Sequence, residues 1–124
     1  MSLAHRNYGA ARVLAPQGRL DHASCEAFQA DLAQHSEACK RDAAVLVLDL
    51  SGVEYVSSAG LRCLMIAARD AKSRAGRIVV AAMQPVVAEI FQISRFNLVL
   101  EAFPTLGEAL ASVSPQAAQA FERG

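Results

Sequence analysis

An α/β domain is the fold class this sequence predicts, and three observations predict it. Apolar runs of strand length stand at residues 44–50 and 77–82, each continuous enough to be buried on both faces of a sheet. Between them, apolar residues recur at helical spacing. The helical stretches open on capping residues or on Pro. Strands alternating with helices from about residue 11 onward place helices over a central sheet, with parallel neighbours joined by right-handed crossovers.

Each element has its own warrant. Residues 4–19 hold one or two short strands, of which 11–15 is the better candidate, ended by Pro16-Gln17-Gly18. Asp21 is an N-cap for a helix over about 22–39, whose stripe is Cys25, Phe28, Leu32 and Cys39. Lys40-Arg41-Asp42 reads as a polar connection to the buried strand at 44–50. Residues 51–56 read as a loop carrying Gly52. A second helix over about 58–74 has Leu61, Leu64, Met65 and Ala68 as its inward stripe. After the strand at 77–82, Pro85 suits the first turn of a short helix through Val86, Val87, Ile90 and Phe91. Residues 97–100 read as a brief strand or extended segment. Thr105 and Glu108 match a capping box that opens a final helix striped by Leu106, Ala109, Leu110 and Val113. Residues 4–113 make one domain, and 114–124 a tail that frays or extends as a weak helix.

Composition narrows the function. The chain has 124 residues, 53% of them apolar, with 12 basic and 12 acidic side chains and formal net charge zero. A nucleic-acid binder carries a basic excess, so none is expected as a direct partner. No window approaches the roughly 18 apolar residues of a membrane span, and neither a signal peptide nor membrane insertion is expected; a cytoplasmic protein is expected. Cys25, Cys39 and Cys63 form no C-x-x-C pair and read as small buried hydrophobes in a reducing compartment. His5, His22 and His35 lack metal-ligand spacing, and no nucleophile elbow or phosphate-binding glycine loop occurs. Catalytic residues, metal and cofactor are expected to be absent.

The feature that does carry chemistry is the pair Ser57-Ser58 at a strand-to-helix junction. A hydroxyl there either caps the helix or accepts a phosphoryl group where helix N–H groups favour an anion. Using 100° per residue, Ser58, Arg62 and Arg69 lie within about 40° of one another around the helix, with Ile66 just beside them.

The run from Asp49 through Ser57, Ser58 and Gly60 to Leu61 resembles the signature of the STAS family, the sulfate transporter and anti-sigma-factor antagonist domains. Gly18-Arg19-Leu20-Asp21, residues 85–93 and residues 103–110 resemble its other segments in order and spacing, over roughly residues 8–113. The resemblance implies a small mixed sheet covered by about four helices, mainly on one face. It implies a stand-alone anti-sigma-factor antagonist that works by partner switching. Unphosphorylated, such a protein binds an anti-sigma factor that is also a serine kinase; phosphorylated, it is released, and a serine phosphatase resets it. The family's phosphoacceptor lies two residues before the motif glycine, which here is Ser58, with Ser57 the alternative. The common form has Asp before the acceptor and Ser or Thr after it; this chain has Ser57 and Ala59. The expected docking surface comprises Asp21, Glu54, Tyr55, Ser57, Ser58, Arg62, Ile66 and Arg69, on a chain that is monomeric by default. Two competing readings accompany it. One is a non-phosphorylated subunit or scaffold of a cytoplasmic complex, such as a phospholipid-transport ATPase. The other is a small-ligand binder at the sheet end.

Overall fold

The computed structural model describes residues 4–42, 45–73, 77–95, 100–113 and 115–122. The chain runs β1 (Ala4–Tyr8), β2 (Ala11–Ala15), β3 (Gly18–Leu20), α1 (His22–Asp42), β4 (Val45–Asp49), β5 (Val53–Val56), α2 (Ser58–Ser73), β6 (Ile78–Ala81), α3 (Pro85–Ile93), β7 (Glu101–Phe103), α4 (Leu106–Val113) and α5 (Pro115–Glu122). Five strands form one sheet in the order β1-β2-β4-β6-β7, and β3 pairs with β5 in a separate two-stranded sheet. The β1–β2 pairing is antiparallel and all others are parallel. The mixed α/β architecture is as expected.

Side chains alternate across a strand with period two, and that explains why the central runs are apolar throughout. Leu14, Leu46, Leu48, Ile78 and Val80 face α1, α2 and α3, where they meet Phe28, Leu32, Leu64, Ala68, Val87 and Phe91. The intervening Val13, Val47 and Val79 face α4 and α5, where Ala109, Leu110 and Ala117 cover them. Helices thus lie three on one face and two on the other, because the segment after residue 114 adds α5. Tyr8 and Phe121 seal that helix to β1 with an edge-to-face contact, centroids 5.6 Å apart at 83°.

The helix signals hold. Leu64 and Ala68 are fully buried on α2, with Leu61 and Met65 packed against the same core. Pro85 is in the first turn of α3, and the Gln84 side-chain amide before it donates to the Ser51 carbonyl at 2.7 Å, tying α3 to the β4–β5 turn. Thr105 caps α4, its Oγ1 accepting from the Glu108 amide at 3.1 Å.

Two expectations need correction. Residues 40–42 continue α1 instead of connecting it, which suits the good helix formers Lys and Arg. Residues 53–56 form β5 instead of a loop; Glu54 and Tyr55 are both exposed between buried Val53 and Val56, so the alternation that marks a strand is missing. The last strand among the described residues is Glu101–Phe103, and residues 97–99 of the expected strand or extended segment lie outside the described residues. The side chain of Cys39 also lies outside them.

Candidate functional site

Strands β3 and β5 run side by side, and each feeds a helix: β3 leads into α1 and β5 into α2. The two helix starts therefore open on the same side of the small sheet. Asp21, His22 and Ala23 line one flank of a shallow hollow between them, and Tyr55, Ser57 and Ser58 the other.

Asp21 caps α1 as expected. Its Oδ1 accepts from the amides of Ala23 and Ser24 at 3.1 and 3.2 Å, and the Ser24 hydroxyl in return accepts from the Asp21 amide at 3.1 Å. This reciprocal pair satisfies first-turn donors that have no partner within the helix.

The two serines have unlike roles. Ser57 is the cap of α2. Its Oγ accepts from the Gly60 amide at 3.2 Å and donates to the Leu20 carbonyl at 3.3 Å, while its own amide donates to that carbonyl at 2.9 Å. Ser58 is the first residue of α2 and is exposed. With Ser57 occupying the cap, the Ser58 hydroxyl is not needed to close the helix. Gly60 makes the arrangement possible: a Cβ there would overlap the carbonyl oxygen and carbon of Leu20. The motif glycine is therefore a contact point between β3 and α2, where only a backbone without a side chain fits.

Arg62, Ile66 and Arg69 follow Ser58 along one exposed stripe of α2, and Ile66 keeps 49% of its surface in solvent. Tyr55, 37% exposed, is held from the β3 side. Arg19 lies opposite it in register, and the guanidinium sits 4.6 Å from the ring centroid. The same arginine approaches Asp21 Oδ2 at 3.7 Å. Glu54 is exposed on β5 but does not line the hollow. Sequence reasoning thus named Asp21, Tyr55, Ser57 and Ser58, which the fold gathers, and missed Arg19, His22 and Ala23. Arg19 had a signal, its place beside Asp21, but its stacking on Tyr55 depends on strand register.

The cysteines depart from expectation. Cys63 is buried, as predicted, but its sulfur is joined to that of Cys25 across the α1–α2 contact, with Cα atoms 6.1 Å apart. Among the described residues, no group of three or more His, Cys, Asp or Glu is arranged to hold a metal ion, and no helix is long and apolar enough to cross a membrane.

A family model described as "Mlab, STAS domain" matches residues 3–102. The chain belongs to the STAS family. It is 35% identical over 98 residues to a Bordetella bronchiseptica protein named anti-sigma factor antagonist BtrV, a match covering 79% of each chain. Among solved structures, it is similar to an anti-sigma factor antagonist from Mycobacterium paratuberculosis, with TM-score 0.74 and 25% identity over 90% of this chain and 92% of that one. It also shares its fold with the Bacillus cell fate determinant SpoIIAA in its phosphorylated form, with TM-score 0.65 and 19% identity over 91% and 100% of the two chains. Within this STAS domain, Ser57 has a local role of its own: Ser is a good N-cap, and it closes the start of α2 without placing a negative charge next to Ser58.

Proposed function

We propose that this STAS protein is a cytoplasmic anti-sigma-factor antagonist that acts by partner switching, with Ser58 as its switch. The observation that carries the reading is the division of labour at the start of α2. Ser57 holds the cap, leaving the Ser58 hydroxyl exposed at the rim of an open hollow. The names of the BtrV and Mycobacterium relatives support the antagonist role, and the phosphorylated form of SpoIIAA supports a switch by phosphorylation on this fold.

The chain itself performs no reaction in this scheme. Its partner, an anti-sigma factor with serine kinase activity, transfers the γ-phosphoryl group of ATP to Ser58 Oγ. ADP leaves, and the hydroxyl gives up its proton. The product dianion, of charge roughly −1.5 to −2, sits at a helix N-terminus where it is tolerated, so the fold survives. Its effect falls on docking. The hollow already carries the Asp21 carboxylate, engaged by first-turn amides and approached by Arg19; a second anion there repels acidic partner groups and removes the fit. Arg62, one turn further on, is the expected contact for the phosphate or for an acidic partner group. Asp21, Glu54, Tyr55, Ile66 and Arg69 complete the docking surface, and a serine phosphatase restores the hydroxyl.

Incubation with the kinase and ATP, followed by peptide mass spectrometry, tests this. Modification is expected on Ser58 and is lost in Ser58→Ala. Ser58→Glu is expected to weaken kinase binding at least tenfold, about 1.4 kcal/mol. Modification on Ser57 alone, or undiminished binding of Ser58→Glu, would refute the assignment. The second reading is an unphosphorylated subunit of a transport ATPase or a scaffold. Ala59 favours it, because it lacks the hydroxyl that commonly follows the acceptor. Copurification of a transporter ATPase instead of a kinase would establish that alternative.

A further inference from the structure

Cys25 and Cys63 stand 38 residues apart in sequence, yet they meet where α1 packs on α2. Cys25 is four residues past the Asp21 cap and Cys63 five past Ser58, so the link joins the helix starts that form the hollow. The two sulfurs differ in access. Cys63 is 1% exposed, whereas Cys25 is only partly buried. Cys25 Sγ also lies 3.6 Å from the Ala59 carbonyl, within reach of a weak S–H donor. Cys25 is thus bonded to Cys63 and lies beside a carbonyl of the first turn of α2 that a thiol freed by reduction could reach.

A domain of this length with an apolar core on each face of its sheet does not need a staple to fold. In the reducing compartment proposed above, disulfides that do form are mostly transient and redox-sensing. We propose that Cys25 and Cys63 are a reversible thiol–disulfide site whose oxidised form clamps the first turn of α1 to the second turn of α2 beside the hollow. This adds a redox input to the site and stands whether or not Ser58 is phosphorylated.

The chemistry balances with a small disulfide oxidant such as glutathione disulfide. The accessible Cys25, as thiolate, attacks one sulfur of the oxidant and expels one glutathione thiolate, leaving a mixed disulfide on Cys25. The Cys63 thiol loses its proton and attacks the Cys25 sulfur. This forms the internal disulfide and expels the second glutathione. Two electrons and two protons leave the protein, and the oxidant becomes two thiols.

The test equilibrates the full chain in buffers of varied reduced-to-oxidised glutathione ratio, followed by acid quench, alkylation and peptide mass spectrometry. The Cys25–Cys63 cross-link is expected to appear under oxidising ratios and disappear from the folded protein under reducing ones. In Cys63→Ala, Cys25 is expected to stop at the glutathione adduct. Amide exchange in the first two turns of both helices is expected to slow at least about tenfold on oxidation, and Cys25→Ser, whose altered side chain is only partly buried, is expected to lose that response. A pair that never oxidises, or one that stays oxidised in excess reduced glutathione, would overturn the proposal. So would a cross-link that forms without slowing exchange.

Discussion

Between Ser57 and Ser58, one peptide unit separates a hydroxyl with two partners from one that faces solvent. Their alanine variants should therefore differ. Ser57→Ala removes a cap and is expected to cost about 1 kcal/mol. Ser58→Ala is expected to stay within about 0.5 kcal/mol of the parent. Urea unfolding measures both, and equal costs would contradict the assignment of roles. A second prediction concerns Ala82, which takes φ 58 just after β6. A left-handed non-glycine residue costs about 1–2 kcal/mol, so Ala82→Gly is expected to stabilise the domain by about 0.5–1 kcal/mol after glycine's own entropy cost. A lower unfolding midpoint would refute it. At this scale Asp21 was legible in the sequence, because an N-cap is a local pattern. The roles of Ser57 and Ser58 were not, because a helix boundary shifts by a residue or two in sequence. Here it is set by the Leu20 carbonyl, a group supplied by another strand.

Among elements, the decisive contact is that of α2 with the end of β3. Gly60→Ala pushes a methyl group into the Leu20 backbone, which cannot give way as a flexible side chain would. It is expected to cost at least about 2 kcal/mol, read as a lowered thermal midpoint with the Ser57 cap displaced. Retained stability would mean that the two elements do not approach so closely. The helices were legible from spacing and caps, and the two central strands from their apolar runs. β5 was hidden by its pattern, with neighbouring Glu54 and Tyr55 both exposed, and by a partner, β3, of only three residues. Register alone brings Arg19 over Tyr55, and helix packing alone joins Cys25 to Cys63. Local sequence encodes neither contact.

For the molecule as a whole, α5 matters more than its composition implies. Its small residues read as a tail that frays or extends as a weak helix, and in the structure Ala117 is fully buried and Phe121 meets Tyr8 on β1. A chain ending at residue 114 uncovers part of the second core. It is expected to lose about 2–3 kcal/mol of stability, measured by denaturant unfolding. An unchanged midpoint would show that the helix is dispensable.

The two-stranded β3–β5 ribbon lies outside the five-stranded sheet that anchors both cores. Glu54, Tyr55, Ser58, Arg62 and Ile66 all project from the ribbon or the helix it launches, and all are exposed. The same two strands also send Leu20, Val53 and Val56 into the larger core, so the proposed docking surface and part of that core share one ribbon. Outward substitutions on this ribbon are expected to leave cohesion intact, whereas inward ones loosen the strands that present both helix starts.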